Sequence, residues 1–228
     1  MNHLLSKIGS YPFEKLNLLL KDIKPSKEVI NLSIGEPKLN ADSKVLDILN
    51  KETNSFSNYP PMNAVPELSE AYRQYLKNHF GIENVAEDEV CLVAGTREGT
   101  FSIIQALFNK ENVKEKPYVV MPNPFYQIYG GATTLAGGEA KFLDCPEEDN
   151  FQPDLDSLKS EDWQKCQILV LCSPNNPTGS VLPLSKLKDI LDLADKYDFY
   201  VVSDECYVDL YTSEKSCPSI LQASSDRS

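Results

Sequence analysis

The sequence predicts a three-layer α/β/α protein, in which helices cover both faces of a mainly parallel sheet and an N-terminal arm precedes it. Three observations predict this fold. From about residue 88, short apolar runs bounded by turn residues alternate with helical patterns, which is the order of a parallel sheet. The run Ile168–Cys172 is apolar throughout, as expected for a strand covered on both faces. In Leu184–Tyr197, apolar residues recur at helical spacing, which indicates an amphipathic helix.

Length and charge limit the function classes. The chain has 228 residues and a formal net charge of -12, so it can form one large domain or one and a half. The acidic excess argues against nucleic acid and anionic membrane surfaces as partners. No segment approaches the roughly 20 apolar residues of a membrane span, and the N-terminus lacks the features of a signal peptide. We therefore expect a cytoplasmic protein that acts on small molecules.

The cysteines and histidines argue against a metal site. The six cysteines form no C-x-x-C pair, and the two histidines, His3 and His79, lie far from any cysteine pair. Four of the six cysteines lie within or beside apolar strand-like runs, so we expect the cysteines to act as small buried hydrophobic residues without a disulfide framework, and we expect no metal site. The scarcity of histidine also excludes Ser-His-Asp and Cys-His catalysis, unless a part outside this chain supplies the base.

The first 80 residues contain helical patterns and two loops of interest. Pro12–Leu20 predicts a helix with proline in its first turn, and further helices are expected at about 42–53 and 66–79. A short alternating strand ends at Gly35, where a ligand could approach the backbone, although a plain turn is the commoner reason for such a glycine. Tyr59 lies in a stiff loop beside two prolines.

Two predicted strands after residue 88 end in turns suited to a ligand. Val90–Val93 is followed by Gly95-Thr96-Arg97 and a helix, which is the geometry that presents N–H groups to an anion, although many such turns bind nothing. Tyr118–Met121 is followed by two prolines and then Phe125 and Tyr126. A ring held there can stack on a flat ligand or simply fill the core.

Two more strand ends carry polar groups. Ile168–Cys172 leads into the turn Ser173–Gly179, which either joins strand to helix or places an asparagine against a ligand. The predicted strand Phe199–Ser203 ends at Asp204, followed by Tyr207. Because an unpaired buried carboxylate is costly, Asp204 needs a cationic partner, either an arginine or lysine elsewhere in the fold or a ligand.

Together, the four strand ends predict a flat, phosphorylated, cationic aromatic ligand. Asn176-Pro177-Thr178-Gly179 and the Asp204-x-x-Tyr207 pair resemble the pyridoxal-phosphate-dependent aminotransferases of fold type I, class I/II. The resemblance covers essentially the whole chain and is closest to bacterial N-succinyldiaminopimelate aminotransferases. The segments that carry this closer likeness are Pro12–Leu16, Ser33–Lys38, Gly95–Glu98, Pro122–Tyr129 and Ser203–Tyr207.

The resemblance implies pyridoxal 5′-phosphate as cofactor and a role for several residues. Asp204 would pair with the pyridine nitrogen, and Asn176 and Tyr207 would bind the ring hydroxyl oxygen. Tyr126 would stack on the ring, with Phe125 as the alternative. The remaining implied contacts are the phosphate at Gly95, Thr96 and Arg97, the phosphate of the neighbouring subunit at Tyr59, and the substrate carboxylate near Gly35.

The resemblance also implies a domain organisation. Residues 1–40 would form the arm and part of a small domain, and residues 41–228 a large cofactor-binding domain that is incomplete at its C-terminal end. The Schiff-base lysine is expected beyond Ser228, so no catalytic residue is expected in this chain, and Lys215 is not expected to replace it. The sequence departs from the family at Asn63-Ala64, where glycine is usual, which puts the shape of that loop in doubt.

The resemblance implies a homodimeric aminotransferase that exchanges an amino group between glutamate and a keto acid. The expected keto acid is N-succinyl-2-amino-6-ketopimelate, in the biosynthesis of diaminopimelate and lysine, although this chain alone would be inactive. Two alternatives stay open at this point. The chain could be a non-catalytic fragment that at most binds the cofactor, or it could belong to another class I/II aminotransferase or a lyase.

Overall fold

The computed structural model describes residues 2–9, 11–30, 32, 35, 39–57, 59, 65–111, 116–210 and 216–225. The chain divides into two compact units, Gly9–Val65 and the pair of segments Met1–Ile8 and Pro66–Ser228. The predicted domain boundary at residue 40 stays a prediction. Most of the segment Ser33–Lys38, the loop positions Asn63 and Ala64, and Lys215 lie outside the described residues.

The smaller unit, Gly9–Val65, contains two helices. Helix α1 spans Pro12–Leu20 and helix α2 spans Ser43–Lys51, and a 3-10 turn follows at Thr53–Ser57. Pro12 is the first residue of α1, where its missing N–H costs nothing. Asp42 caps α2, because its Oδ1 accepts a hydrogen bond from the Lys44 amide at 2.8 Å. Both predicted helices of this unit are therefore confirmed.

The larger unit is built on a four-stranded parallel sheet. The strands are β1 (Tyr118–Asn123), β2 (Glu139–Asp144), β3 (Cys166–Cys172) and β4 (Tyr200–Asp204). Their order across the sheet is β2-β1-β3-β4, and every neighbouring pair is parallel. The helices are α3 (Pro66–Phe80), α4 (Thr96–Leu107), α5 (Gln127–Ala136), α6 (Ser160–Lys165), α7 (Leu184–Tyr197) and α8 (Ile220–Ser225).

Helices cover the sheet on both faces, and strand β3 shows why. Successive side chains of a strand point to opposite faces. Ile168 and Val170 pack in one apolar cluster with residues of α4 and α5, whereas Leu169 and Leu171 pack in another with residues of α6, α7 and α8. All residues of β3 are buried. The predicted three-layer α/β/α fold is therefore confirmed.

The strand order creates a crevice at the carboxyl edge of the sheet. The chain passes from β1 to the outer strand β2 and then returns across β1 to β3. Helix α5, which follows β1, packs on one face, while α7, which follows β3, packs on the other. The loops after β1 and β3 therefore diverge, and open α/β sheets bind their ligands at such a switch point. The peptide bonds Asn123–Pro124, Ser173–Pro174 and Asn176–Pro177, in these two loops, are cis.

The structure differs from the sequence prediction at two elements. Val90–Val93 is not a strand, because none of the described strands pairs with it. Helix α8 is not among the helices that the sequence patterns predict. Its start does carry a signal, since Ser219 Oγ accepts a hydrogen bond from the Leu221 amide at 3.2 Å. Within the described ranges, no helix combines the length and apolarity needed to cross a membrane.

Candidate functional site

Asp204 is the charged group at the carboxyl end of the sheet. It is the last residue of β4 and pairs in register with Cys172 at the end of β3. Its Oδ2 accepts a hydrogen bond from Tyr129 Oη at 2.7 Å, and its Oδ1 lies 3.4 Å from the Cys206 amide nitrogen. In the part of the chain that the structure describes, no lysine or arginine forms an ion pair with it. Of the two partners expected for Asp204, an arginine or lysine of the protein is therefore not found among the described residues.

Tyr129 is the hydrogen-bond donor to Asp204, and the sequence prediction assigned it no role. It lies in α5 and is completely buried. Burial, together with the neighbouring Cys172 and Asp204, raises the pKa of its hydroxyl. The hydroxyl therefore stays protonated and donates. Its spacing of three residues from Tyr126, the residue that precedes α5, was the signal in the sequence that the two rings could meet.

Tyr126 joins this group from the loop between β1 and α5. Its ring meets the Tyr129 ring edge to face, with centroids 5.8 Å apart at 89°. Its hydroxyl oxygen accepts a hydrogen bond from Arg97 Nε at 2.8 Å. Phe125 instead packs against Phe142 of β2, with ring centroids 5.2 Å apart. Of the two candidate stacking residues, Tyr126 is therefore the one in contact with the group around Asp204.

Helix α4 begins beside this group. Gly95 is its N-cap residue, with φ 151° and ψ 157°, and Thr96 is its first helical residue. Glycine has no side chain to cap the helix, and the first N–H groups of a helix have no partner within it. They remain oriented towards the space before the helix, where the helix dipole favours an anion. Thr96 and Asp204 both line one cleft of about 950 Å³, which also borders α3.

The turn after β3 is braced by its own hydrogen bonds. The Asn175 amide donates to the Ser180 carbonyl at 2.8 Å, and the Gly179 amide donates to the Asn175 carbonyl at 2.7 Å. Asn175 Nδ2 also donates to Thr178 Oγ1 at 2.9 Å. The hydrogen bonds of Asn175 therefore stabilise the turn. They fix the backbone position of the next residue, Asn176.

Asn176 and Tyr207 form the second polar pair of the site. Burial raises the pKa of the Tyr207 hydroxyl, and the nearby Asn176 side chain acts in the opposite direction. The two side chains are therefore neighbours beyond the ends of β3 and β4. This is the contact expected if both bind one oxygen atom of a ligand.

The two cysteines near Asp204 do not serve as nucleophiles. Burial, followed by the charge of Asp204, raises the pKa of Cys206 to about 12. Burial likewise raises the pKa of Cys172. Both thiols stay protonated at neutral pH. Among the described residues, no group of three His, Cys, Asp or Glu side chains is arranged to hold a metal ion.

The larger unit thus gathers the site residues predicted within it. Arg97, Tyr126, Tyr129 and Asp204 are linked by direct contacts, Asn176 meets Tyr207, and Thr96 shares a cleft with Asp204. Tyr59 and Gly35 belong to the other unit, where Tyr59 is fully exposed and no described residue other than its chain neighbours comes within 4 Å of a Cβ built on Gly35. The roles expected for these two residues stay predictions.

Residues 27–227 match the aminotransferase class I and II family. The chain belongs to this family. The LL-diaminopimelate aminotransferase of Aquifex aeolicus is 29% identical over 221 residues, which is 96% of this chain and 56% of that protein. The aspartate aminotransferase of Pyrococcus abyssi is 32% identical over 182 residues, covering 79% of this chain and 46% of that protein. The chain spans about half the length of the curated relatives it matches.

Solved structures of aminotransferases have the same fold. An aminotransferase from Neisseria meningitidis is 40% identical and superposes with a TM-score of 0.91, covering 100% of this chain and 58% of that one. The aminotransferase AspB from Helicobacter pylori is 36% identical with a TM-score of 0.86, covering 94% of this chain and 55% of that one. Both confirm the predicted fold type.

Pyridoxal 5′-phosphate is the cofactor of this aminotransferase family, as predicted. The donor set of the site fits it. An aspartate with no protein cation beside it among the described residues suits a protonated pyridine nitrogen, and an uncapped helix start suits a phosphate. The aromatic ring of Tyr126 suits the face of the planar cofactor ring. The amide of Asn176 and the phenol of Tyr207 suit the hydroxyl oxygen on that ring.

The backbone at Gly95 gives a first testable prediction. We expect Gly95→Ala to lower the free energy of unfolding by about 1–3 kcal/mol, because its φ of 151° is strained for any residue with a Cβ. The new Cβ would also lie 2.9 Å from Glu98 Oε2. Urea unfolding followed by circular dichroism measures the change.

Gly131→Ala is the matched control. Gly131 lies inside α5, and a Cβ there meets nothing within 4 Å beyond its own helix. Alanine is the better helix former, so this variant is expected to gain roughly 0.5–1 kcal/mol. A Gly95→Ala protein as stable as the unsubstituted chain would contradict the strained helix start.

Proposed function

We propose that the chain carries the cofactor-binding part of an aminotransferase that exchanges an amino group between glutamate and a keto acid. The observation that carries this proposal is the position of the Asp204 carboxylate and the groups around it. Its carboxylate lies at the switch-point edge of the sheet, is oriented by a neutral donor, and has no protein cation beside it among the described residues. Such a carboxylate is suited to a cationic ligand.

The chain's residues act on the bound cofactor by holding and orienting it. When bound, pyridoxal phosphate supplies an electron-withdrawing ring for the carbon that carries the amino group. Asp204 would keep the ring nitrogen protonated, and the start of α4 at Gly95, Thr96 and Arg97 would hold the phosphate. Tyr126 would cover one face of the ring and exclude water from it.

Asn176 and Tyr207 would fix the rotation of the ring in its plane. Both can donate a hydrogen bond to the ring hydroxyl oxygen, and they already lie within reach of each other. In a homodimer, Tyr59 of one subunit would bind the phosphate held by the other, and Gly35 would lie beside the substrate carboxylate. These two assignments are supported by the sequence motifs alone.

We infer N-succinyl-2-amino-6-ketopimelate as the keto acid. The support comes from the segments that resemble N-succinyldiaminopimelate aminotransferases, among them Pro122–Tyr129 and Ser203–Tyr207. Several relatives are LL-diaminopimelate aminotransferases, named for an amino acid with the same carbon skeleton. Aspartate is the second candidate donor, because other relatives are aspartate aminotransferases.

The test is a donor panel with the natural protein that contains these residues, loaded with pyridoxal phosphate. Glutamate formation from 2-oxoglutarate is measured with N-succinyl-LL-diaminopimelate, LL-diaminopimelate and aspartate. We expect the highest kcat/KM for the succinylated donor. A higher value for aspartate or LL-diaminopimelate would refute the substrate assignment. If the protein binds the cofactor but forms no glutamate with any of the donors, the proposed activity is refuted and a non-catalytic protein is favoured.

A further inference from the structure

Tyr129 reaches Asp204 across a strand. Helix α5 follows β1, whereas Asp204 ends β4, and β3 lies between these strands in the sheet. The hydroxyl of Tyr129 lies near Cys172 at the end of β3 and donates to Asp204 Oδ2 at 2.7 Å. A contact between a buried helix and the far strand fixes the plane of the carboxylate.

We infer that Tyr129 is a positioning residue for the cofactor. It would hold Asp204 Oδ2 so that the carboxylate meets the ring nitrogen in one orientation, and its ring would support Tyr126 on the ring face. This inference rests on the proposed function and adds to it a residue that acts through two others. Tyr129 itself is not expected to touch the cofactor.

A tyrosine suits this role because its hydroxyl donates without carrying charge. A lysine or arginine in the same place would neutralise Asp204 and remove its attraction for a cationic ring. Burial keeps the phenol protonated, since it raises the pKa of Tyr129. The hydroxyl therefore orients the carboxylate without placing a positive charge beside it.

Packing alone does not account for the hydroxyl. The ring of Tyr129 fills the apolar cluster with Ile104, Met121 and Ile168, a task that phenylalanine would perform equally well. A buried tyrosine hydroxyl requires a partner, and here the partner is the one carboxylate at the end of β4. A positioning role and a packing role therefore make different predictions for Tyr129→Phe.

The experiment compares two ligands on the purified chain. Pyridoxal 5′-phosphate and its 1-deaza analogue, in which C–H replaces the ring nitrogen, are titrated by absorbance and tyrosine fluorescence. We expect Tyr129→Phe to weaken pyridoxal phosphate about tenfold, the usual effect of losing a hydrogen bond to a charged group. Affinity for the deaza analogue should stay within about twofold, because it cannot use the carboxylate.

Tyr197→Phe is the matched control. Tyr197 Oη also donates a hydrogen bond, to Ser160 Oγ at 3.2 Å, but it lies at the opposite end of helix α7 from the site. This variant should bind both ligands as the unsubstituted chain does. Equal weakening of both ligands by Tyr129→Phe, or no weakening of either, would overturn the positioning role.

The outcomes also separate this inference from the proposed function. If the unsubstituted chain binds neither ligand, the proposed function and the inference that rests on it both fail. If it binds pyridoxal phosphate with the same affinity as Tyr129→Phe, only the inference fails.

A second measurement covers the case in which Tyr129→Phe does not fold. In the unsubstituted chain labelled with ¹³Cζ-tyrosine, the Tyr129 resonance should shift on binding pyridoxal phosphate and not on binding the deaza analogue. A Tyr129 resonance that responds equally to both ligands would overturn the inference.

Discussion

Replacing Asp204 by asparagine is expected to weaken the binding of pyridoxal phosphate about 100-fold, because losing a hydrogen bond between two charged groups costs roughly 1.5–3 kcal/mol. Asparagine keeps the shape of the side chain and its position at the end of β4, but it removes the negative charge and replaces one of the two acceptor oxygens with an N–H donor. The loss should appear as a higher dissociation constant in a fluorescence titration or in equilibrium dialysis.

Asp144→Asn provides the control for this prediction. Asp144 is also a carboxylate at the end of a parallel strand of the same sheet, but it is exposed and lies at the outer strand β2. Its replacement should leave the affinity unchanged. Equal affinity of Asp204→Asn and the unsubstituted chain would show that the ligand is not held through this charge.

Leu169→Ala is expected to lower the free energy of unfolding by about 3 kcal/mol, within the usual range for a buried leucine. Leu169 is completely buried in the middle of β3, where it pairs in register with Val120 of β1 and Val201 of β4. Its side chain packs in the cluster that includes Ile190 of α7. Because the strands on both sides hold the backbone in place, the cavity cannot collapse. Urea unfolding measures the loss.

Leu210→Ala makes the same chemical change at an exposed position. The Leu210 side chain is 67% exposed, so its truncation should change the free energy of unfolding by less than about 0.5 kcal/mol. Similar losses for both variants would contradict the placement of β3 at the centre of the sheet.

Helices and strands whose own sequence pattern identifies them could be predicted from the sequence. A short all-apolar run bounded by turn residues is typical of a strand covered on both faces, and β3 is one. The helical spacing of Leu184–Tyr197 gave the bounds of α7. Val90–Val93 has an equally strong strand pattern, but a strand also needs a neighbour with which to pair. That requirement cannot be judged from the segment itself.

The candidate site was predictable only in part, for a related reason. Strand ends meet at one edge of a parallel sheet, so Asp204, Asn176 and Tyr126 could be grouped from the sequence. The contact between Tyr129 and Asp204 could not, because it depends on the order in which β1, β3 and β4 lie side by side. An aromatic run shows that rings are present, but it does not show which ring faces a carboxylate two strands away.

The most direct test of the account is the protonation state of the bound cofactor's ring nitrogen. Pyridoxal phosphate labelled with ¹⁵N in the ring is bound to the protein and its nitrogen resonance recorded at a pH where the nitrogen of the free cofactor is unprotonated. We expect a pyridinium resonance in the unsubstituted protein and its loss in Asp204→Asn. An unprotonated nitrogen in the unsubstituted protein would contradict the assignment of Asp204 as the partner of the ring.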